Sequence, residues 1–539
     1  MIKKTLCIVL MGSLAATTVS AASSVAAAPK QPNMVLIYMD DLGWKDLSCT
    51  GSQFYKTPNI DRLAAQGVRF ERAYSPAPLC APSRGAVLSG KCPARTKFTS
   101  IMAHAGDDSL YTQSKALGVG NQCLEAKHRQ ALPSTETLFA ERFKAAGYRT
   151  CFIGKWHAGR APGYHPKDRG YDEVYALRKA GGYPYYLTQE QIDSMEGLPG
   201  AKPGDYLPEL MTKWACEFMA REAKAERAFL LHLCHFLVHG PITAKKDLVP
   251  EYTERLKTIQ TDQDNIPYAT MVQAMDESVG RIMDQLEKLD QLENTLVIFT
   301  SDNGGLTLRE TTSNYPLMGG KSFSLEGGYR VPFIAHWKGR IEPGQINDTR
   351  VVGTDIYPTF LEAAGLPLDP EQHADGMSLM GEFTQGREGI LLPPRALVFH
   401  HPHYTHASSP HSVIIDEGYR LVRYYNDAAG AYSLFDLEKD AFEQTDLCYA
   451  KPEVTARLSK KLNEYLAAVD AELPVPVDSE EGRRTLALHA QGKNKGWSER
   501  YKDYAKVMNK KTERDLAMQE RSIQEQKISQ GNDAAPGTP

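Results

Sequence analysis

The sequence predicts an α/β protein with a large mixed central sheet, helices on both of its faces, and a smaller C-terminal antiparallel sheet carrying a packed helix. Three observations predict it. Short apolar runs alternate with helix-period segments over most of the chain, and that alternation builds a sheet covered on both sides. Two of the runs stop abruptly at acidic residues, as buried strands do when their carboxyl ends carry a site. Past residue 385 the pattern changes to short strands at close spacing.

Taken in order, Asn33–Met39 (NMVLIYM) is a continuous apolar run ending at Asp40–Asp41. A helix follows from Ile60 to Gln66, closed by Gly67, since glycine takes the left-handed conformation that ends a helix. Leu138–Ala146 reads as a helix closed by Gly147, and Tyr148–Ile153 and Ala228–Cys234 as strands. Ala269–Leu289 has helical periodicity, with Met271, Met275, Val279 and Met283 on one face. Thr295–Thr300 (TLVIFT) is a strand followed closely by Asp302, and Val331–Trp337 is a further strand. Ala396–His400, Ser412–Ile415, Tyr419–Tyr425 and Tyr432–Leu437 form the small antiparallel sheet, and Glu453–Val469 is its helix. This divides the chain into an export signal (1–21), a catalytic unit (30–385), a C-terminal α+β unit (386–494) and a polar extension (495–539).

With 62 basic and 66 acidic residues and a net charge of −4, the chain has no basic stripe for nucleic acid and no acidic tract. Lys3 and Lys4 precede a short apolar run and a small-residue pattern, Val19–Ala21, which reads as an export signal. The run is shorter than the ~20 residues of a spanning helix. The expectation is an exported protein, periplasmic or secreted, passed through the export machinery and without stable membrane insertion once the signal is removed. The cysteines beyond Cys7 are too sparse for a disulfide scaffold, and whether Cys92 and Cys123 bridge stays open.

Two strand ends carry hard oxygen ligands, Asp40 with Asp41 and Asp302 with Asn303. Adjacent carboxylates are costly to bury unless something compensates them. One such pair is more simply a cap or turn. Two, each ending an apolar strand, point to a divalent cation, and oxygen-only ligands suit Ca²⁺ or Mg²⁺. Isolated cations stand near other apolar runs: Lys155 and His157 in IGKWHAG, His239 in HFLVHGPI, and Lys321 among glycines in PLMGGKSFSLEGGYRVP. Gathered around a cation, they would line a pocket for a tetrahedral oxyanion, sulfate or phosphate.

LCAPSRGAVLSGK, around Cys80, resembles the signature of the type I, formylglycine-dependent sulfatases: Cys-x-Pro-Ser-Arg followed by a helix. DDLGWKDL and KTPNIDRLAAQGVRF before it, and GKWHAG, YHPKDRGYDE, SDNGG, GGKSFSLEGGYRVP and TDIYPTFLEAAGLP after it, are similar to that family's segments and stand in family order. The resemblance spans residues 33–470. It implies an alkaline-phosphatase-like fold and oxidation of Cys80 to formylglycine by a maturation enzyme that reads Pro82 and Arg84. It implies that Asp40, Asp41, Asp302, Asn303 and modified Cys80 hold Ca²⁺, with Mg²⁺ as the alternative. Arg84 would stabilise the hydrated aldehyde and the metal carboxylates, and Lys155, His239 and Lys321 would hold sulfate oxygens. One hydroxyl of the hydrate would attack sulfur, and the second would lose its proton and expel sulfate. His157 is the candidate base of that second step. His239, with Lys321 as the alternative, is the candidate acid for the leaving oxygen. The sequence departs from the family at Lys91, Cys92, Ala158 and Met318.

FHHPHYTHASSPH packs five histidines around Tyr404, and His403 and Tyr404 are the candidate substrate contacts, with GGYPYYL (Gly181–Leu187) as a second aromatic wall. A sulfated saccharide, a galactose or N-acetylhexosamine sulfate attacked from the chain end, is the expected substrate. The rival readings are an arylsulfatase, a phosphatase or phosphonate hydrolase of the same fold, and a non-catalytic sulfated-glycan binder.

Overall fold

The computed structural model describes residues 31–101, 109–111, 123–178, 184–405, 407–426 and 432–480. The export signal, the extension from 495, His406 and the Gly181–Tyr183 part of the aromatic wall lie outside the described residues.

Eight strands form the central sheet: β1 (Asn33–Met39), β2 (Val68–Phe70), β3 (Arg149–Gly154), β4 (Glu173–Tyr175), β5 (Phe229–Cys234), β6 (Thr295–Ser301), β7 (Phe333–His336) and β8 (Gln345–Asn347). Their order in space is β8-β2-β7-β6-β1-β5-β3-β4. β6, β1, β5, β3 and β4 pair in parallel, whereas β7 is antiparallel to both β6 and β2. The sheet is therefore mixed. β1 is wholly buried because it pairs on both edges and is covered on both faces. Its alternate residues divide between two cores: Val35, Ile37 and Met39 face one, Met34, Leu36 and Tyr38 the other. That division is the period-two geometry of a strand, and it explains why a doubly covered strand reads as an unbroken apolar run.

The main helices are α1 (Pro58–Ala65), α2 (Cys80–Ser89), α3 (Phe139–Ala145), α4 (Leu207–Lys224), α5 (Ile266–Lys288), α6 (Ile356–Ala363) and α7 (Pro452–Ala468). Residues of α1, α4 and α5 fill the first core and those of α2, α3 and α6 the second. The stripe Met271, Met275, Val279 and Met283 is buried in the first. Each such side chain contributes about 1.5–3 kcal/mol relative to exposure. The expected strands and helices are present, with ends shifted by a few residues. α4 and the short strands β2, β4 and β8 were not expected; three-residue strands carry too little periodicity to stand out.

β9 (Leu397–His401), β10 (His411–Asp416), β11 (Tyr419–Tyr424) and β12 (Tyr432–Asp436) form an antiparallel sheet in sequence order. Leu458, Leu462 and Leu466 of α7 cover one face through Ile414, Leu421 and Leu434. The other face packs Phe399, Val413 and Val422 against Tyr74 and Tyr329 of the main body. The eight cysteines of the described residues are free thiols, so Cys92 and Cys123 form no bridge: Cys92 Sγ lies 3.4 Å from the Val398 carbonyl and Cys123 Sγ 3.3 Å from the Tyr404 hydroxyl. No helix among the described residues is long and apolar enough to cross a membrane.

Candidate active site

The neighbouring strands β6, β1, β5 and β3 run parallel, so their carboxyl ends open on one edge. Ligands bind at such an edge in open α/β sheets. The chain leaving these ends supplies Asp302 and Asn303, Asp40 and Asp41, His239, and Lys155 and His157, respectively. Cys80 opens α2 and Arg84 lies one turn on. The helix end gathers unpaired amide N–H groups and favours an anion. The backbone is held tightly here. A Cβ on Gly304 would come within 1.8 Å of the Gly327 carbonyl oxygen, which is why glycine follows Asn303. Asp41 and His157 both take positive φ, 65° and 57°, a conformation non-glycine residues adopt at some cost.

Lys155 Nζ donates to both carboxylate oxygens of Asp40 at 2.7 Å. Lys321 Nζ donates to Asp41 Oδ2 at 2.7 Å, and His239 Nε2 lies 3.5 Å from the same oxygen. Arg84 pairs with Asp302 through Nε at 2.9 Å and its terminal nitrogen at 2.7 Å, and donates to the Lys155 carbonyl at 2.8 Å. Its guanidinium lies over the Tyr38 ring, 5.2 Å from the centroid. Asp302 Oδ1 accepts the Asp41 amide at 3.1 Å, and Asn303 Nδ2 donates to Asp41 Oδ1 at 2.8 Å. Among the described residues, metal-ligating groups converge to within 4.8 Å in two sets, Asp40–Cys80–Asp302 and Asp40–Asp41–His239. All the candidate catalytic and metal residues except His157 appear in these contacts or sets. His157 stands beside them, its Nε2 2.9 Å from the Ile101 carbonyl.

Burial pushes Asp40 up to about 7 in spite of Lys155. Burial also acts to raise Asp41, but Lys321, His239 and Lys155 outweigh it and hold that carboxyl below the usual range. Burial raises the Cys80 thiol, with Lys155 and Lys321 opposing. A neutral thiol is a poor nucleophile, so an unmodified Cys80 is not poised to attack in this environment. Burial, then Lys321, pushes His239 down to about 3. Burial and the positive charges of Lys155 and Arg84 bring His157 well below the ordinary histidine range.

His403 and Tyr404 do not join this group. His403 is 3% exposed, its Nε2 2.8 Å from Thr99 Oγ1 and its ring edge-on to His128. The Tyr404 hydroxyl lies against Cys123 and its amide donates to Glu125. The expected substrate contacts, in the loop that follows β9, are thus engaged by Thr99, His128, Cys123 and Glu125. Of the aromatic wall, Tyr185 is buried and its hydroxyl reaches the Phe236 carbonyl at 2.8 Å, bracing the loop that carries His239. An open cavity of about 350 Å³ borders the site, walled by Lys155, His157, Phe236, Leu177, Arg178 and Glu196 among others.

A family model described as sulfatase matches residues 32–366. The chain belongs to the sulfatase family. A second model, N-sulphoglucosamine sulphohydrolase, C-terminal, matches residues 318–472 of this sulfatase. It is 34% identical over 384 residues to N-acetylgalactosamine-6-sulfatase of Sus scrofa, covering 68% of this chain and 69% of that one. It is 32% identical over 526 residues to a sulfatase of Formosa agariphila, covering 86% and 92%. Among solved structures, Ps i-CgsB in complex with k-i-k-neocarrahexaose matches with a TM-score of 0.69 at 26% identity, covering 86% of this chain and 98% of that one. Membership makes this protein a sulfuric ester hydrolase of alkaline-phosphatase-like fold. Reading the sequence missed the residues that brace the sulfatase site: Ser83, whose hydroxyl ties the turn before Cys80 to Ala77, Tyr38 under Arg84, and Tyr185. Ser83 was within reach, being inside the signature, and Tyr185 lay in GGYPYYL, read as a substrate wall rather than a brace; Tyr38 has no local mark.

Proposed function

We propose that this sulfatase removes sulfate from a sulfated carbohydrate, an exo-acting galactose or N-acetylhexosamine sulfatase, using formylglycine made from Cys80 and a Ca²⁺ ion. The observation that carries the reading is the position of Cys80: it opens a helix with its sulfur within 4.8 Å of Asp40 and Asp302 oxygens, inside a ring of Arg84, Lys155 and Lys321. The donor set fits a hard cation. Asp40, Asp41, Asp302 and Asn303 offer only oxygens, and Asn303 Oδ1 is buried with no partner among the described residues. Such an orphan costs about 1–3 kcal/mol unless it is satisfied. These four residues would hold Ca²⁺, or Mg²⁺ in its place, with modified Cys80. The ion supplies positive charge to the sulfate oxygens, and formylglycine supplies, as its hydrate, the attacking oxygen.

The chain's own groups do the rest. Lys155 and Lys321 bind sulfate oxygens, and removing one such donor costs about 2.7–4 kcal/mol of transition-state stabilisation. Arg84 stays locked on Asp302 and keeps the metal carboxylates in place. His157 Nε2 faces a carbonyl oxygen, which can only accept, so that nitrogen carries the hydrogen and Nδ1 keeps its lone pair. Nδ1 is buried with no partner among the described residues, the state required of the base that takes a proton when sulfate is expelled. His239, with Lys321 as the alternative, is the proposed acid for the leaving oxygen; burial and Lys321 hold the free imidazole at about 3, so the negative charge of bound sulfate has to restore its protonated form. Residues 30–385 are the catalytic unit and 386–494 the C-terminal one. Export to the periplasm or the medium and a maturation enzyme for Cys80 complete the proposal.

A carbohydrate is supported by the names of the relatives and by the cavity beside Lys155 and His157, whose size falls in the range of small-ligand sites. The saccharide lies there and not against His403. Glu196 offers a carboxylate to its hydroxyls. Glu196→Ala is expected to raise KM for a sulfated saccharide about tenfold relative to KM for a small aryl sulfate, the loss of one charged hydrogen bond. An unchanged ratio returns the saccharide to another wall. The decisive test is the mass of the Cys80 peptide from protein made in its native cell. It is expected to have lost sulfur and to react with a carbonyl reagent, and sulfate esters are expected to be turned over in preference to phosphate esters. A wholly unmodified thiol there would end the formylglycine reading.

A further inference from the structure

Lys321 sits on a loop with little secondary structure of its own, yet its ammonium is placed on Asp41. The loop backbone just beyond it is held by side chains of the C-terminal unit. The Ser322 carbonyl accepts from Thr405 Oγ1 at 2.9 Å and from Ser408 Oγ at 2.8 Å. The Ser324 carbonyl accepts from Arg420, and the Ser324 hydroxyl meets the Tyr424 hydroxyl at 3.1 Å. The Glu326 amide donates to Glu443 Oε2 at 2.6 Å. Arg420 is completely buried in β11, and its guanidinium pairs with Glu326 at 3.2 Å and with Glu443 at 3.0 Å while lying over the Tyr329 ring. Glu326 in turn meets Tyr74 and Arg330. On its near side the loop touches the catalytic turn: the Ser322 amide donates to the Pro78 carbonyl, two residues before Cys80, and the Lys321 amide to Gly305.

A buried arginine between two buried carboxylates is weak evidence for stability alone, because desolvation offsets much of the attraction. What this one does geometrically is hold the Ser324 carbonyl and orient Glu443 on the Glu326 amide, while Thr405 and Ser408 hold the Ser322 carbonyl, so that alternate backbone groups of the loop are fixed by the C-terminal unit. We infer that Arg420, with Glu443 and the Thr405 and Ser408 hydroxyls, is a positioning device that sets the Lys321 ammonium for sulfate. This rests on the reading of Lys321 as a sulfate ligand. A clamp made of the second unit also explains why the catalytic loop can be glycine-rich: its order is imposed from outside.

The test uses the full, matured chain and inorganic sulfate as the probe, read by calorimetric binding and by inhibition of turnover, together with kcat, KM and thermal melting. Arg420→Lys keeps the charge and loses the forked geometry, and is expected to weaken sulfate binding about tenfold and to lower kcat. In a Lys321→Ala background the same change is expected to alter sulfate binding by less than about twofold, because the residue it acts through is gone. A merely structural role would lower the melting temperature and leave sulfate binding and kcat as in the unaltered protein, and that result overturns the inference. If Arg420→Lys does not fold, the double variant Thr405→Val/Ser408→Ala, which removes both bonds to the Ser322 carbonyl and no charge, carries the test; unchanged sulfate binding there overturns it equally. If Lys321→Ala by itself leaves sulfate binding intact, the reading of Lys321 fails and the clamp has nothing to position.

Discussion

Cys80→Ala is expected to lower kcat on every sulfate ester by more than about 10⁴-fold, since loss of a covalent nucleophile costs up to about 10⁶ in enzymes that depend on one. The fold should hardly notice. The change deletes only the functional group of the side chain at the first position of α2, and the ties around it do not pass through that group: Ser83 to Ala77, Arg84 to Asp302, Lys155 to Asp40. Melting temperature and sulfate binding should therefore stay close to those of the unaltered protein while turnover disappears. Steady-state kinetics beside a melting curve and a sulfate titration check it. Turnover within tenfold of the unaltered enzyme would mean that the reacting oxygen comes from elsewhere, and the proposed role of Cys80 would fall.

Asp302→Ala is the variant expected to hurt both stability and chemistry. Arg84 is 2% exposed and Asp302 fully buried. Removing the carboxylate leaves the guanidinium in the interior with only a 3.9 Å approach to the Asp40 carboxylate, which costs about 3–5 kcal/mol, and also strips the acceptor from the Asp41 amide. The same change takes one of the three carboxylates from the proposed cation site. The unaltered protein is expected to gain about 2.7 kcal/mol of stability when Ca²⁺ is present at a hundred times its dissociation constant. The variant should gain far less. Denaturant unfolding with Ca²⁺ and with a chelator measures both effects at once. An undiminished Ca²⁺ response in Asp302→Ala would remove Asp302 from the metal site, while a destabilisation below 1 kcal/mol would show that Arg84 finds another partner.

The sequence by itself determined where the site's carboxylates lie along the chain. Asn33–Met39 and Thr295–Ser301 are buried at every position and apolar through their middles because both faces and both edges are covered, and an acidic residue at the end of such a run stands out against it. It also determined, through the match around Cys80 and along residues 33–470, the family and its fold. It did not determine the strand order. Nothing local in Thr295–Ser301 says that it pairs with Asn33–Met39 and so brings Asp302 to Asp41, because hydrogen-bond partners across 260 residues are chosen by the whole packed sheet. The direction of His403 was equally out of reach: a histidine-rich stretch reads the same whether its rings face a substrate or, as here, Thr99 and His128. Arg420 shows the limit most sharply. It is one of many arginines in the sequence, and its meaning arises only because folding buries it between Glu326 and Glu443, 94 residues before it and 23 after it. Local sequence sets periodicity and chain ends; burial and long-range pairing, which decide what a charged group costs and whom it meets, belong to the tertiary structure.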